Sequence, residues 1–163
     1  MARLRSLPTA RTRLNWHEAL NWQEQAALQQ LIQQRFAQQH SAHIQHFLPR
    51  LFGLWQAEQP QAAVGLRLAS SGPLFLERYL DGKAEQVINH GFQQSLARRD
   101  IAEIGNLASL RPGLQRQLFI YLAHQLAAEG IAWLLFTATP EVANGLRRLG
   151  LEPPPITPAA PNR

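Results

Sequence analysis

Arg98-Arg99-Asp100-Ile101-Ala102-Glu103-Ile104-Gly105-Asn106-Leu107-Ala108, followed at once by Ser109-Leu110-Arg111-Pro112-Gly113-Leu114, decides how this 163-residue chain is read. The stretch predicts a strand over 101–108 interrupted by Gly105-Asn106, then a short loop, then a helix opened by Pro112. A glycine inside a strand marks a bulge or a close approach of another backbone or a ligand. Proline suits the first helical position because its missing N–H has no intrahelical partner to lose there. The N-terminus of that helix offers unpaired N–H groups and the positive end of a dipole to an anion. Together these features outline a place where an extended, phosphate-bearing ligand lies along a splayed strand.

Working outward, Leu114, Leu118, Leu122 and Leu126 recur every fourth residue until Gly130, which predicts a helix over 112–130. Residues 131–138 then read as a strand buried on both faces. Thr139 is placed to cap a further helix, with Pro140 and Glu141 in its first turn and Gly150 past its end. Upstream, Leu28, Leu31, Ile32 and Phe36 form one apolar stripe of a helix over 22–42, and glutamines fill its solvated face. Strands are expected over 47–55 and 62–69, joined by a turn at Glu58-Gln59-Pro60-Gln61, with Pro49 placing the first of them at an edge or a bulge. Ser70-Ser71-Gly72-Pro73 breaks the chain, and two short helices follow, over 74–80 and 84–92. The sum is a mixed α+β plan with a parallel β-α-β crossover at its centre.

Composition bounds the function. Hydrophobic residues make up 45% and charged residues 17% of the chain, which fits one globular domain. The apolar run Ile131-Ala132-Trp133-Leu134-Leu135-Phe136 is far too short to span a bilayer. No cysteine is present, which excludes disulfides, thiolate metal sites and a cysteine nucleophile. Residues 1–14 form an acid-free basic segment holding Arg3, Arg5, Arg11 and Arg13, which resembles a targeting presequence but reads more simply as a solvated tail. A main domain is expected over 15–152 and a proline-rich tail over 153–163. The remaining basic residues are scattered without interleaved aromatics, so nucleic acid is not an expected partner. The net charge of +5 suits an acidic carrier protein, a phosphorylated cofactor or an anionic membrane surface. His40, His43 and His46 recur at i+3, but no nearby carboxylate completes a ligand set, so no metal is expected. Neither a Gly-x-Ser-x-Gly elbow nor a nucleotide-hydrolase phosphate loop occurs.

The segment Arg98-x-x-Ile101-Ala102-Glu103-Ile104-Gly105-Asn106-Leu107-Ala108 resembles the hallmark of the bacterial thermostable hemolysin family. Four further blocks agree in the same order: Ala42-His43-Ile44-Gln45-His46-Phe47-Leu48-Pro49; Gly65-Leu66-Arg67-Leu68-Ala69; Pro73-Leu74-Phe75-Leu76-Glu77-Arg78-Tyr79-Leu80-Asp81; and Trp133-Leu134-Leu135-Phe136-Thr137-Ala138-Thr139 with Leu149-Gly150-Leu151 beyond it. That family resembles the GCN5-related N-acetyltransferase fold and, within it, the acyl-homoserine-lactone synthases. The resemblance implies a mixed sheet with flanking helices, in which the strand over 101–108 parts from the strand over 131–138 and a pantetheine arm lies in the gap. It implies a cytoplasmic acyltransferase of lipid biosynthesis, moving a fatty acyl group from acyl-carrier protein or acyl-CoA to a small amine or alcohol. No cofactor is expected to be tightly bound, the acyl-phosphopantetheine serving as donor. The alternatives left open are a membrane-active haemolysin and a non-catalytic acyl-binding module, with peripheral membrane contact and a homodimer as further possibilities. The family pattern continues past the position of Arg163, so the terminal strands are expected to be incomplete or supplied by a second subunit.

From their place on the central strand, Glu103 and Asn106 are the catalytic candidates. Donor contacts are implied at Leu107, Ala108, Arg111, Gly113, Leu114, Arg116 and Thr139, and substrate contacts at Arg67, Arg98 and Thr137. On an alternating strand Glu103 shares a face with Ile101, Gly105 and Leu107. Its carboxylate either binds or deprotonates the acceptor amine or forms a structural salt bridge with Arg67 or Arg98. Asn106 either presents its amide to the thioester carbonyl or holds the bulge through backbone hydrogen bonds. Arg67 either pairs with Glu77 or Glu103 or contacts an acceptor carboxylate, and Arg111 and Arg116 either meet phosphates or are solvated. Thr139 doubles as a helix N-cap. Leu146 falls where acetyltransferases often carry a tyrosine acid, and only Gly113 remains of the usual glycine-rich loop.

Overall fold

The computed structural model describes residues 13–40, 46–137 and 139–148. Residues 1–12 of the expected basic segment over 1–14, residues 149–152 at the end of the expected main domain and the proline-rich tail over 153–163 lie outside the described residues. The chain runs β1 (Asn15–Glu18), α1 (Trp22–His40), β2 (Arg50–Gln56), β3 (Gln59–Leu68), α2 (Ala84–Phe92), β4 (Ile101–Ser109), α3 (Pro112–Ala128), β5 (Trp133–Leu135) and α4 (Pro140–Arg148). Short 3-10 turns at Ala69–Ser71, Phe75–Tyr79 and Arg98–Asp100 connect β3, α2 and β4. The five strands form one sheet in chain order, antiparallel from β1 to β4 and parallel between β4 and β5.

Each sheet face receives its own helices. The α1 stripe of Leu28, Leu31 and Ile32 packs with Leu51, Trp55, Ala63 and Ala108 on one face. The α3 leucines 114, 118, 122 and 126 pack on the other face, against Phe52, Leu54, Val64, Leu66, Ala102 and Ile104, with Val142 of α4 joining them. The four-residue spacing of those leucines puts one apolar stripe along α3, which is why the pattern was legible. A third apolar cluster joins Leu74, Ala84, Ile88, Ile101 and Leu135 below the 3-10 turns.

Several expected elements shift. β2 starts at Arg50, after Pro49, whose missing N–H cannot join the ladder. The turn between β2 and β3 is the pair Ala57-Glu58, with Ala57 at φ 56°, so β3 begins at Gln59, within the expected turn. The short helix over 74–80 is a 3-10 turn. β5 is three residues, because the Ile131 N–H donates back to Leu126 and the pairing with β4 ends at Leu135. β1 has no counterpart in the sequence reading, since four residues are too few to display a period.

Candidate active site

β4 is the strand that builds the site. On its β3 side the register jumps from Gly65↔Gly105 to Ala63↔Ala108, so Asn106 and Leu107 together oppose Val64. That is a bulge, and Asn106 sits in it with φ 52°, in the left-handed region that asparagine tolerates better than most residues. The extra residue reverses the alternation beyond it. Leu107 therefore joins the face of Ala102 and Ile104, and Ala108 lies on the α1 face. The expectation that Glu103 and Leu107 share a face is corrected by this one residue.

On its other side β4 pairs with β5 only through Ile101↔Trp133, Ala102↔Leu134 and Glu103↔Leu135. Beyond Glu103 the two strands part. A cleft of about 650 Å³ opens there, lined by Glu103, Ile104, Gly105 and Asn106 of β4 and by Thr137 beyond β5. His46, Phe47 and Leu48 form another wall, and Arg67, Phe75, Leu76 and Arg78 complete it.

Glu103 is 1% exposed, so its carboxylate must find donors. It finds them in the N–H groups of Phe75 and Leu76, which donate to Oε1 and Oε2 at 2.8 and 2.9 Å. These are the first N–H groups of a 3-10 turn whose preceding residue, Leu74, has no side-chain acceptor to offer them. Glu103 thus caps a turn from a neighbouring strand. The expected salt bridge to Arg67 or Arg98 is not formed, because those arginines have other partners. Arg67, its register partner on β3, donates to the Pro73 carbonyl at 3.2 Å rather than to Glu77 or Glu103.

Arg98 is not brought into the cleft. It donates to Glu77 at 2.7 Å, to Glu85 at 2.9 Å and to the carbonyls of Ala69 and Gly72, which ties together the loop from β3 to α2. Burial alone would push the Glu77 carboxyl up, but the Arg98 guanidinium and the N–H groups of Leu74 and Ala84 outweigh it and hold the group down at about 2. The pairing raises Arg98 in turn. One carboxylate from β4 and one from the loop itself therefore fix the wall formed by residues 73–79.

Asn106 uses its side chain on the opposite wall. Its Oδ1 accepts from the Leu48 N–H at 2.8 Å and its Nδ2 donates to the His46 carbonyl at 3.3 Å. The bulge therefore clamps the segment entering β2. Gly65 leaves the room this needs, since a Cβ there would lie 2.8 Å from Asn106 Oδ1 and 3.0 Å from Leu48 Cβ.

The expected donor residues spread along the far end of β4. Arg111, Gly113 and Arg116 are exposed around the start of α3, whereas Leu114 is 1% exposed and belongs to the core. Two of the loop's donors serve the fold: the Leu110 N–H donates to Gln61, and the Leu114 N–H donates to Arg111. Thr139 caps α4, its Oγ1 accepting from the Val142 N–H at 3.3 Å. Leu146 packs against the core. Sequence reasoning missed Phe75, Leu76 and Arg78 as cleft residues. The block from Pro73 to Asp81 carries part of the family resemblance, but nothing in its pattern says that Glu103 holds it over β4.

The sequence profile of the thermostable hemolysin family matches residues 20–163. The chain belongs to that family. No curated protein matches its sequence. Among solved structures, this family member is similar to the AHL synthase LasI, with a TM-score of 0.65 and 14% identity over 90% of this chain and 82% of that one. It is also similar to FeeM, an N-acyl amino acid synthase from uncultured soil microbes, with a TM-score of 0.60 and 18% identity over 79% and 73% of the two chains. A "predicted acetyltransferase" from Clostridium acetobutylicum, solved with acetyl-CoA, gives a TM-score of 0.53 and 10% identity over 87% and 92%. These likenesses show that the hemolysin-family chain has the GCN5-related N-acetyltransferase type of fold.

Proposed function

We propose that this protein is an acyltransferase, moving a fatty acyl group from acyl-carrier protein or acyl-CoA to a small amine or alcohol in the cytoplasm. The observation that carries this reading is the parting of β4 from β5 directly after Glu103↔Leu135, with a cleft of about 650 Å³ at the divergence. An extended thioester arm has backbone groups of β4 to pair with there, as an added strand does at an open edge. With no cysteine in the chain, direct attack by the acceptor is the simplest chemistry. The acceptor nitrogen attacks the thioester carbonyl carbon, the C–N bond forms, the C–S bond breaks, and the thiolate departs. The proton lost by the nitrogen passes through Glu103 or water to solvent or the departing thiolate. Each Glu103 oxygen accepts one backbone N–H and retains capacity to accept from an ammonium in the cleft. Leu146 offers no acid, which fits a leaving group that departs as a thiolate. Much of the rate then comes from holding the two reactants together.

The test is free-thiol release from octanoyl-CoA or octanoyl carrier protein, with a panel of amines and alcohols as acceptors. The chain contributes no thiol background to a CoA assay. Acceptor-dependent release supports the reading, and Glu103→Gln is expected to lower kcat/KM by about 100-fold or more. Glu103→Gln should also cost about 2 kcal/mol in urea unfolding, since one N–H of the turn loses its carboxylate acceptor. Donor binding without release would select a non-catalytic acyl-binding module. A second reading, contact with a lipid surface, draws on Leu20 and Trp22, which are 83% and 75% exposed at the start of α1. Vesicle leakage caused by the protein alone would select it.

A further inference from the structure

The cleft holds more positive charge than its own residues answer. Arg67 and Arg78 both line it, and neither belongs to an ion pair among the described residues. Arg67 donates to a neutral carbonyl, that of Pro73, while the Arg78 guanidinium rests 4.1 Å from the centre of the Phe75 ring. Two arginines outside the cleft are used differently: Arg50 is bound by Glu18 and Glu129, and Arg98 by Glu77 and Glu85. A guanidinium has five N–H donors, so a single carbonyl or a ring face leaves most of them to a ligand.

The support beneath the two groups is continuous. Glu103 fixes the Phe75 and Leu76 N–H groups, the Phe75 ring carries Arg78, and Pro73 of the same turn carries Arg67. Two positioned guanidiniums recognise an oxyanion, and the anion has two sources to choose between: a carboxylate on the acceptor or a phosphate on the donor. The phosphates of a thioester arm suit the start of α3, near Arg111 and Gly113. Six residues of strand, Ile104 to Ser109, separate Glu103 from Leu110, roughly 20 Å at the usual rise per residue. Arg67 and Arg78 stand at the Glu103 end of that span. We propose that Arg67 and Arg78 bind a carboxylate on the acyl acceptor, so that the acceptor is an amino acid rather than a plain amine, an alcohol or an amino amide. The proposal rests on the cleft being the acyl-transfer site. It also matches charges within the cleft: the carboxylate meets two arginines, and the amino group meets Glu103.

The test compares glycine, serine, leucine and tyrosine with their amides and decarboxylated amines as acceptors for octanoyl-CoA and octanoyl carrier protein. At least one acid is expected to exceed its amide by about tenfold or more in kcat/KM. Arg67→Gln and Arg78→Gln should each raise KM for that acid about tenfold, leave its amide unchanged, and leave the donor KM unchanged. Equal use of acids and amides overturns the proposal, as does a rise in donor KM alone, which moves the anion to the donor phosphate. If no acceptor turns over, the same N-octanoyl amino acids and N-octanoyl amino amides are titrated by calorimetry. Tighter binding of an acid, erased by Arg67→Gln, keeps the carboxylate site while the catalytic reading falls. Equal binding of acid and amide, with folding verified by circular dichroism, overturns the proposal outright.

Discussion

The two sides of β4 behave differently. Towards β3 it is paired from Leu68↔Ala102 to Ala62↔Ser109, six register pairs interrupted by one bulge. Towards β5 it is paired at three positions and then left. The side chains of β4 by themselves cannot explain this contrast, because one strand serves both edges. The β3 side accommodates the extra residue at Asn106 by passing it into a bulge whose amide grips residues 46–48. On the β5 side nothing restores the register, and the backbone beyond Glu103 meets the cleft. The cleft is the unpaired half of a ladder whose other half is paired through the bulge.

The largest break in this comparison comes from the paired side. Gly65→Val forces a branched side chain into the space held by Asn106 Oδ1 and Leu48 Cβ, at 2.8 and 3.0 Å from the Cβ position. It should cost about 3 kcal/mol and lower the Tm by roughly 10 °C, measured by thermal unfolding. An unchanged Tm would mean that the bulge is looser than its contacts imply.

A somewhat smaller effect tests the wall of the unpaired side. The Glu77 carboxyl is held at about 2 against an ordinary 4.5, so it is the unfolded chain that binds the proton first as pH falls. The stability it contributes is fully present above about pH 4.5 and is lost as pH drops towards 2. Urea unfolding across that window should lose on the order of 2 kcal/mol from this group, and Glu77→Gln should flatten the acid limb by that amount. An acid limb identical in the variant would place the titration elsewhere.

The smallest effect lies just past β5. Thr139→Ala removes the oxygen that accepts from Val142 and should cost about 1 kcal/mol in urea unfolding. If Thr139 acts only as a cap, the donor KM stays where it was. A severalfold rise in donor KM would give it the contact that the resemblance implies.

Legibility followed the range of the interactions. The α3 leucines and the α1 stripe were readable because helix periodicity is local. Gly105-Asn106 marked the bulge because few residues other than glycine and asparagine take up the left-handed conformation found at Asn106. Leu107 was assigned to the wrong face for the same reason: period-2 alternation cannot show an inserted residue. The partners of Glu103 were not readable at all. They lie 27 and 28 positions away, and they are backbone N–H groups that every non-proline residue possesses. Arg78 escaped notice because an exposed arginine has no pattern of its own; only its seat on Phe75 beside the cleft distinguishes it.

Sequence by itself determined the long helices α1 and α3, the crossover from β4 through α3 to β5 and the place along β4 where pairing is disturbed, since these depend on propensity and on spacings within a few residues. Tertiary structure decided what Glu103, Arg67 and Arg98 do. A buried carboxylate takes whichever donors folding brings within about 3 Å, and the chain order holds no record of which those are.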